Sequence, residues 1–595
     1  MARTILVRTA AVAVLAAALA GADPAVAGRV PGGPTAVGYG GAVATVDAEA
    51  TRVGLEVLRE GGNAVDAAIA AAAALGVTEP FSAGIGGGGF LLYYDARTGR
   101  VHTIDGRESA PASMTATSFI DPATGAPYAF QEARVSGLSV GVPGTVATWE
   151  RALRDFGTIS LADALRPAST VARKGFPVDA TFRTQVADNA AAFGQFSSTS
   201  ALFLPGGAPP AVGSTFRNPD LARTYDLIGQ RGAGAFYRGP VARDIVTTVT
   251  DPPVADTPIG TWAYPIRPAT LTVRDLAGYA VREPAPTRVG YRGYQVHGMA
   301  TPSSGGQAVG EALNILERAD LPRELALHGY LEASALAFAD RNRYVGDGTP
   351  RALLNELLSD RFAAERACLI DPGGALPKPV APGVPDGAYG GCAAATATEP
   401  ELAGQSTTNL TVADRWGNVV EYTLTIEQIG GNGMVVPGRG FLLNNELTDF
   451  NFAPTQGDAA DPNLPAAGKR PRSSMAPTIV TRAGRPVLAV GTPGGSTIIT
   501  TVLQILVNRL DLGMSLPEAI AAPRATQRNT ATIPAEPAFD RAALEGLGHV
   551  FTTMTEIGAA TGIELLPDGR VVAAAEPVRR GAGTAGVVRP AGVVP

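Results

Sequence analysis

Between Thr407 and Glu427 two alternating runs flank the pentapeptide Asp414-Arg415-Trp416-Gly417-Asn418, and this stretch limits the fold more than any other. Asp, Gly and Asn are turn formers, so the pattern predicts an antiparallel hairpin centred on Trp416. A turn so centred sets Thr407 opposite Thr425, Asn409 opposite Thr423 and Thr411 opposite Glu421. Opposed residues share a face. On the second strand Val420, Tyr422, Leu424 and Ile426 form an apolar face and leave Glu421, Thr423, Thr425 and Glu427 on the other. Opposed Cβ atoms lie about 4.5 to 5.5 Å apart, which brings the Thr425 hydroxyl within hydrogen-bonding reach of Thr407. Spacing alone also fits a half-exposed hairpin in which Thr is simply a good strand former.

The rest of the composition excludes several classes. Lys plus Arg total 48 against 54 Asp plus Glu, with the basic residues scattered, so there is no footprint for nucleic acid or an anionic membrane. A small-molecule enzyme is expected. Arg3 and Arg8, an apolar run from Thr9 to Ala22 and then Ala25-Val26-Ala27 read as an export signal over residues 1–27. That run is shorter than the roughly 20 residues of a spanning helix, so no stable membrane anchor is expected and the mature chain belongs in an extracellular or cell-wall/periplasmic space. Cys368 and Cys392 in an exported chain are a possible disulfide, with two buried thiols as the alternative. The four histidines, His102, His297, His328 and His549, show no metal-ligand spacing, so no metal and no cofactor are expected. Gly84, Gly86 and Gly89 formally spell a dinucleotide fingerprint, but they follow a predicted helix and feed a strand, the reverse of what that motif needs. Gly137-Leu138-Ser139-Val140-Gly141 spells a nucleophile elbow, yet Gly141-Val142-Pro143-Gly144 separates it from the next predicted helix, which Thr145 is expected to cap.

Thr407-Thr408, Asp414 to Asn418 and Tyr422-Thr423-Leu424-Thr425 together resemble the cleavage-site signature of the γ-glutamyltranspeptidase family, an autoprocessed branch of the N-terminal nucleophile hydrolases. Glu60 to Asp66, Pro80-Phe81-Ser82 and Gly84 to Phe90 resemble its N-terminal signature, so the likeness spans nearly the whole chain past residue 27. One departure is Asn409, where the family commonly has His.

The resemblance implies an α+β fold, a four-layer αββα sandwich of two antiparallel sheets between helical layers. A large subunit, 28–406, and a small catalytic subunit, 407–595, would build it from one precursor cut between Ser406 and Thr407. The Gly/Ala/Pro-rich stretch 371–406 reads as a mobile segment upstream of the cut. Thr407 is then the nucleophile, oriented by Thr425, with its own α-amine as base and Gly494 and Gly495 as the oxyanion hole. Arg107, Ser473 and Ser474 would bind the substrate α-carboxylate, and Glu427, Glu446 and Asp449 the α-ammonium. Some family members carry Asn and Gln where Glu427 and Glu446 stand, so this site reads as the more acidic. Glutathione and other γ-glutamyl compounds would be donors, and water, amino acids or dipeptides acceptors. A related acylase acting on glutaryl or β-lactam side chains, or an uncut exported binding protein, are the alternatives. The 451–468 loop, a lid over the nucleophile in some members, has only Phe452 as an aromatic.

Overall fold

The hairpin is the centre of the molecule. A computed structural model describes residues 33–389, 392 and 406–591; the export signal read at 1–27 lies outside them. Strands β1 (Thr35–Thr45), β2 (Gly88–Asp95), β3 (Arg100–Asp105), β4 (Thr287–Tyr291), β5 (Tyr294–Gly298), β6 (Thr408–Asp414), β7 (Val419–Thr425), β8 (Thr478–Arg482), β9 (Arg485–Gly491), β10 (Thr561–Leu565), β11 (Val571–Ala575) and β12 (Thr584–Pro590) pair antiparallel throughout. One leaf runs β3-β2-β7-β6-β1, with β12 on the far edge of β1, and the other runs β11-β10-β9-β8-β5-β4. Asn409 faces Thr423 and Thr411 faces Glu421, the register that the turn composition predicts.

The two sheets are joined rather than separate. Thr35–Gly38 of β1 pairs with β11, and Gly41–Thr45 pairs with β6. Gly40 and Gly41, at φ +82° and +120°, make the kink by which β1 leaves one leaf for the other. Only glycine takes up such values without strain.

Each outer face carries helices. Val43, Leu91, Leu410, Val412, Val420, Tyr422 and Leu424 pack under α1 (Ala48–Arg59), α2 (Ala64–Thr78), α3 (Thr145–Phe156), α4 (Leu161–Lys174) and α5 (Pro219–Arg231). On the other side Val480, Leu488 and Val490 meet α6 (Gly305–Ala319), α7 (Ala326–Tyr344) and α8 (Thr497–Leu510). Gly144, without a side-chain cap, holds the N-cap position expected of Thr145. The polar face of the hairpin is buried between the leaves, where Asn409 donates to Thr561 Oγ1 at 2.8 Å and to Glu421. The hairpin is thus a pair of central strands instead of a half-exposed one.

Helix α2 fixes the hairpin from above. Asn63 and Asp66 form the capping box expected of them, and Asp414 in the hairpin turn accepts from the Ala64 amide at 3.0 Å. The segment expected to be mobile from 371 is anchored in its first part. Lys378 pairs with buried Glu332 of α7, Val380 exchanges hydrogen bonds with Asn529, and Gly383 donates to Asp340 at 2.5 Å. Residues 390, 391 and 393–405 lie outside the described residues. Cys368 and Cys392 form the disulfide.

Candidate active site

Ser406 and Thr407 are both buried at the start of β6, where the sandwich closes over them. Thr407 Oγ1 lies against the Ser406 carbonyl oxygen and 3.3 Å from Thr425 Oγ1. Thr425 in turn accepts from the Glu427 amide at 2.9 Å. Arg580 donates to the Thr407 carbonyl at 2.5 Å, and Ser406 Oγ to the Phe81 carbonyl at 3.4 Å. The bond next to the hydroxyl is therefore held on both sides.

A small cavity of about 30 Å³ lies beside this hydroxyl, lined by Arg107, Ser406, Thr407, Thr425, Glu427, Glu446, Asp449, Ser473, Ser474 and Gly495 among others. Ten of the eleven site residues singled out from sequence thus meet at one place from segments more than 360 positions apart, and Gly494 sits next door. Arg107, 1% exposed, is pinned by the carbonyls of Pro471 and Arg472 at 3.1 and 3.0 Å. Its guanidinium also engages Glu446 and, at 2.5 Å, Asp449. The sequence reading set these two carboxylates against Arg107 across a substrate. In the structure they pair with it directly, because a buried charge is stable only with a partner.

Glu427 stands apart. It adopts φ +78°, a strained value for a residue with a side chain, and its carboxylate accepts from Asn445 and from Gln428 at 3.1 Å. Burial pushes its carboxyl well above the ordinary range, and Asp449 and Glu446 push it further. Burial likewise raises Glu446 to about 7 even though Arg107 opposes the shift. Behind them Glu108 is fully buried against Glu446, and burial and the charge of Glu446 raise its carboxyl too. The lining sets three carboxylates, Glu427, Glu446 and Asp449, against the guanidinium of Arg107, an excess of acid that a bound cation would offset.

Ser473 Oγ accepts from the Met475 amide at 3.1 Å, and Ser474 Oγ from Arg341 at 2.8 Å. The turn 302–306 supports them, with Ser304 Oγ donating to the Ser473 carbonyl at 2.7 Å. Gly494 and Gly495, at φ +137° and +59°, turn the chain into α8. Gly495 lines the cavity with Thr407, whereas Gly494 lines a larger neighbouring one shared with Gln185, Asp188, Glu556 and Arg580. Phe452 stacks on Phe119 at 4.4 Å, in a cluster with Leu447 and Phe450. It covers that cluster, not Thr407.

Sequence reasoning missed Arg580, Glu79 and Ser82. Arg580 donates to Ser82 Oγ at 2.7 Å and lies 3.2 Å from Glu79; only the closed sandwich brings these segments together. It also missed a cluster in which His328, Glu332 and His549 place their ligand atoms within 4.8 Å of one another. His549 comes from 221 positions beyond His328, so spacing could not reveal it. The His328 and His549 rings share a 2.8 Å hydrogen bond, and Lys378 already supplies the cation for Glu332.

The family model for Gamma-glutamyltranspeptidase matches residues 50–586. The chain belongs to the γ-glutamyltranspeptidase family. It is 39% identical over 544 residues to the glutathione hydrolase proenzyme of Bacillus subtilis (strain 168), covering 89% of this chain and 88% of that one. Against the glutathione hydrolase proenzyme of Escherichia coli (strain K12) the identity is 35% over 561 residues, 90% of each chain. Among solved structures, cephalosporin acylase from Bacillus halodurans superposes with a TM-score of 0.78 at 28% identity, over 95% of this chain and 98% of that one. This γ-glutamyltranspeptidase-family enzyme therefore has the N-terminal nucleophile hydrolase fold that its cleavage signature implies.

Proposed function

We propose that the chain is the precursor of a γ-glutamyltransferase and glutathione hydrolase that cuts itself between Ser406 and Thr407. The observation that carries this reading is Thr407 Oγ1, set between the Ser406 carbonyl and Thr425 in a cavity that also holds one arginine and three acids. Thr407 Oγ adds to the Ser406 carbonyl carbon, the C–N bond breaks and an ester forms. Water then opens the ester, leaving a Ser406 carboxylate and a free Thr407 amine. Attack at such close range has the advantage of an intramolecular reaction.

In the mature enzyme the amine takes the proton of the Thr407 hydroxyl as that oxygen attacks the γ-carbonyl of a donor such as glutathione. The developing oxyanion meets the amides at Gly494 and Gly495, a loop that enters α8. Loss of one such donor typically costs roughly 2.7 to 4 kcal/mol of transition-state stabilisation. The proton passes to the leaving amine, and water, an amino acid or a dipeptide then takes the acyl group. Arg107 with Ser473 and Ser474 would receive the donor α-carboxylate, and Glu427, Glu446 and Asp449 its α-ammonium. The larger cavity beyond Gly494 is the natural place for the departing amine and for an acceptor.

The surplus of acid favours a donor with a free α-ammonium over a glutaryl group, which has none. Incubating the processed protein with glutathione and with a glutaryl amide tests this. Release of cysteinylglycine from the first with little turnover of the second is expected; the opposite preference would assign an acylase. The cycle needs no cofactor, since each proton transfer uses groups of the chain. The export signal leads us to propose an extracellular or cell-wall/periplasmic place of action. Among the described residues no helix is long and apolar enough to cross a membrane.

A further inference from the structure

Glu79 is the C-cap of helix α2, and the turn that follows touches the residue before the scissile bond. Ser406 Oγ donates to the Phe81 carbonyl of that turn, and Arg580 reaches across it from the other side. The Arg580 guanidinium spans three partners: the Thr407 carbonyl at 2.5 Å, Ser82 Oγ at 2.7 Å and Glu79 Oε2 at 3.2 Å. Its backbone sits at φ +54°, a conformation that a residue with a side chain adopts only when its surroundings hold it there. Glu79 and Arg580 are 13% and 16% exposed, so their mutual charge is screened much less than that of a surface pair.

We infer that Glu79 is a positioning residue for the nucleophile, holding Arg580 on the Thr407 carbonyl and setting the net charge beside the Thr407 amine. This rests on the proposed role of that amine as the base. A residue's own nitrogen and carbonyl oxygen are about 3 Å apart, so a guanidinium bonded to that oxygen stands within roughly 5 to 6 Å of the amine. At that range an uncompensated positive charge disfavours the ammonium form and lowers the amine pKa. Ionised Glu79 cancels the charge and returns the amine towards its ordinary range.

The groups that face Glu79 set how firmly it is ionised. Arg580 favours the carboxylate, while Asp47, the N-cap of α1, and Asp179, the N-cap of the helix Ala180–Asp188, disfavour it. Burial is the larger effect and brings the Glu79 carboxyl up to about 7. On the far side of Arg580, Glu556 accepts from its backbone amide at 3.3 Å. As pH falls through 7, Glu79 takes a proton, Arg580 loses its counter-charge, and the amine is held neutral further into acid than it would otherwise be.

The test is the pH dependence of kcat/KM for a chromogenic γ-glutamyl anilide, measured on wild type, Glu79→Gln and Glu79→Asp, with processing followed by mass. The inference expects the acidic limb of Glu79→Gln to move down by about one pH unit, and that of Glu79→Asp to stay near wild type. An unmoved limb in Glu79→Gln with both variants equally less stable to heat overturns it, since a merely structural residue would behave so. If Glu79→Gln stays uncut, the comparison moves to processing: normal cutting of Glu79→Asp supports the charge role, and two uncut variants overturn it. A wild type that neither cuts itself nor turns over the anilide overturns the assigned activity, whereas an active wild type isolates Glu79.

Discussion

Replacing Arg107 by Ala separates a residue that only receives substrate from one that also neutralises its acidic neighbours. Sequence reading alone expects a binding loss of about 1.5 to 3 kcal/mol, the range for a hydrogen bond to a charged group. That is roughly a 10- to 150-fold rise in donor KM. The structure adds a second loss. Arg107 is 1% exposed and paired with Glu446 and Asp449, with Glu108 close behind. Removing one partner of a buried pair typically costs about 3 to 5 kcal/mol while the other stays charged. Here the cost depends on pH. Glu446 already binds its proton up to about pH 7, against 4.5 for an ordinary Glu, and losing Arg107 raises it further. A group whose folded-state pKa is raised contributes stability that is present below the unfolded value and lost as pH rises through the folded one. The variant should therefore approach wild-type stability near pH 5 and fall furthest behind near pH 8. Thermal unfolding of Thr407→Ala with and without Arg107→Ala, so that both remain single chains, reads the gap at each pH. A gap that is absent, or equal at both pH values, refutes a stabilising role for the pairing.

Three further outcomes follow from named contacts. Gly491→Ala places a Cβ 2.3 Å from Glu421 Oε1 and 2.5 Å from Asn409 Oδ1 between the two leaves. It should destabilise by about 1 to 3 kcal/mol, read as a lower unfolding temperature; an unchanged temperature would mean that the leaves separate freely there. Cys368→Ser opens the loop to Cys392, 24 positions on, and should cost about 3 kcal/mol, with the variant insensitive to reductant and wild type falling to its level when reduced. Thr425→Ala removes the 3.3 Å partner of the nucleophile and should slow the Ser406–Thr407 cut roughly 2- to 12-fold, followed by gel densitometry against time. Cutting at the wild-type rate would show that Thr425 does not orient Thr407.

Local chemistry made the hairpin legible. Five turn residues and a period of two set the pairing of Asn409 with Thr423, because a slip by one would turn Val420, Tyr422 and Leu424 away from α2. The capping box at Asn63 was legible for the same reason. The site residues came instead from resemblance, and they meet as that resemblance implies, although Arg107 could not be seen to carry its own counter-ions. Pairing of this kind depends on what a closed interior does to charge, which no spacing in the chain records. Arg580 and Glu79 were invisible because 501 positions separate them and neither belongs to a periodic pattern. The joining of the sheets through β1 rests on a kink at Gly40 and Gly41 whose meaning appears only once β6 and β11 are in place. The anchoring of 376–383 was missed because its prolines and glycine read as loop, whereas Leu376 and Val380 pack on the core and Glu332, Asp340 and Asn529 hold its polar groups.

The central claim is that Thr407 cuts the bond before it. Intact mass and N-terminal sequencing of purified wild type beside Thr407→Ala test it directly. Two fragments from wild type, the smaller beginning at Thr407, with the variant in one piece, are the predicted result. A wild type that stays a single chain under conditions where it is folded would contradict it.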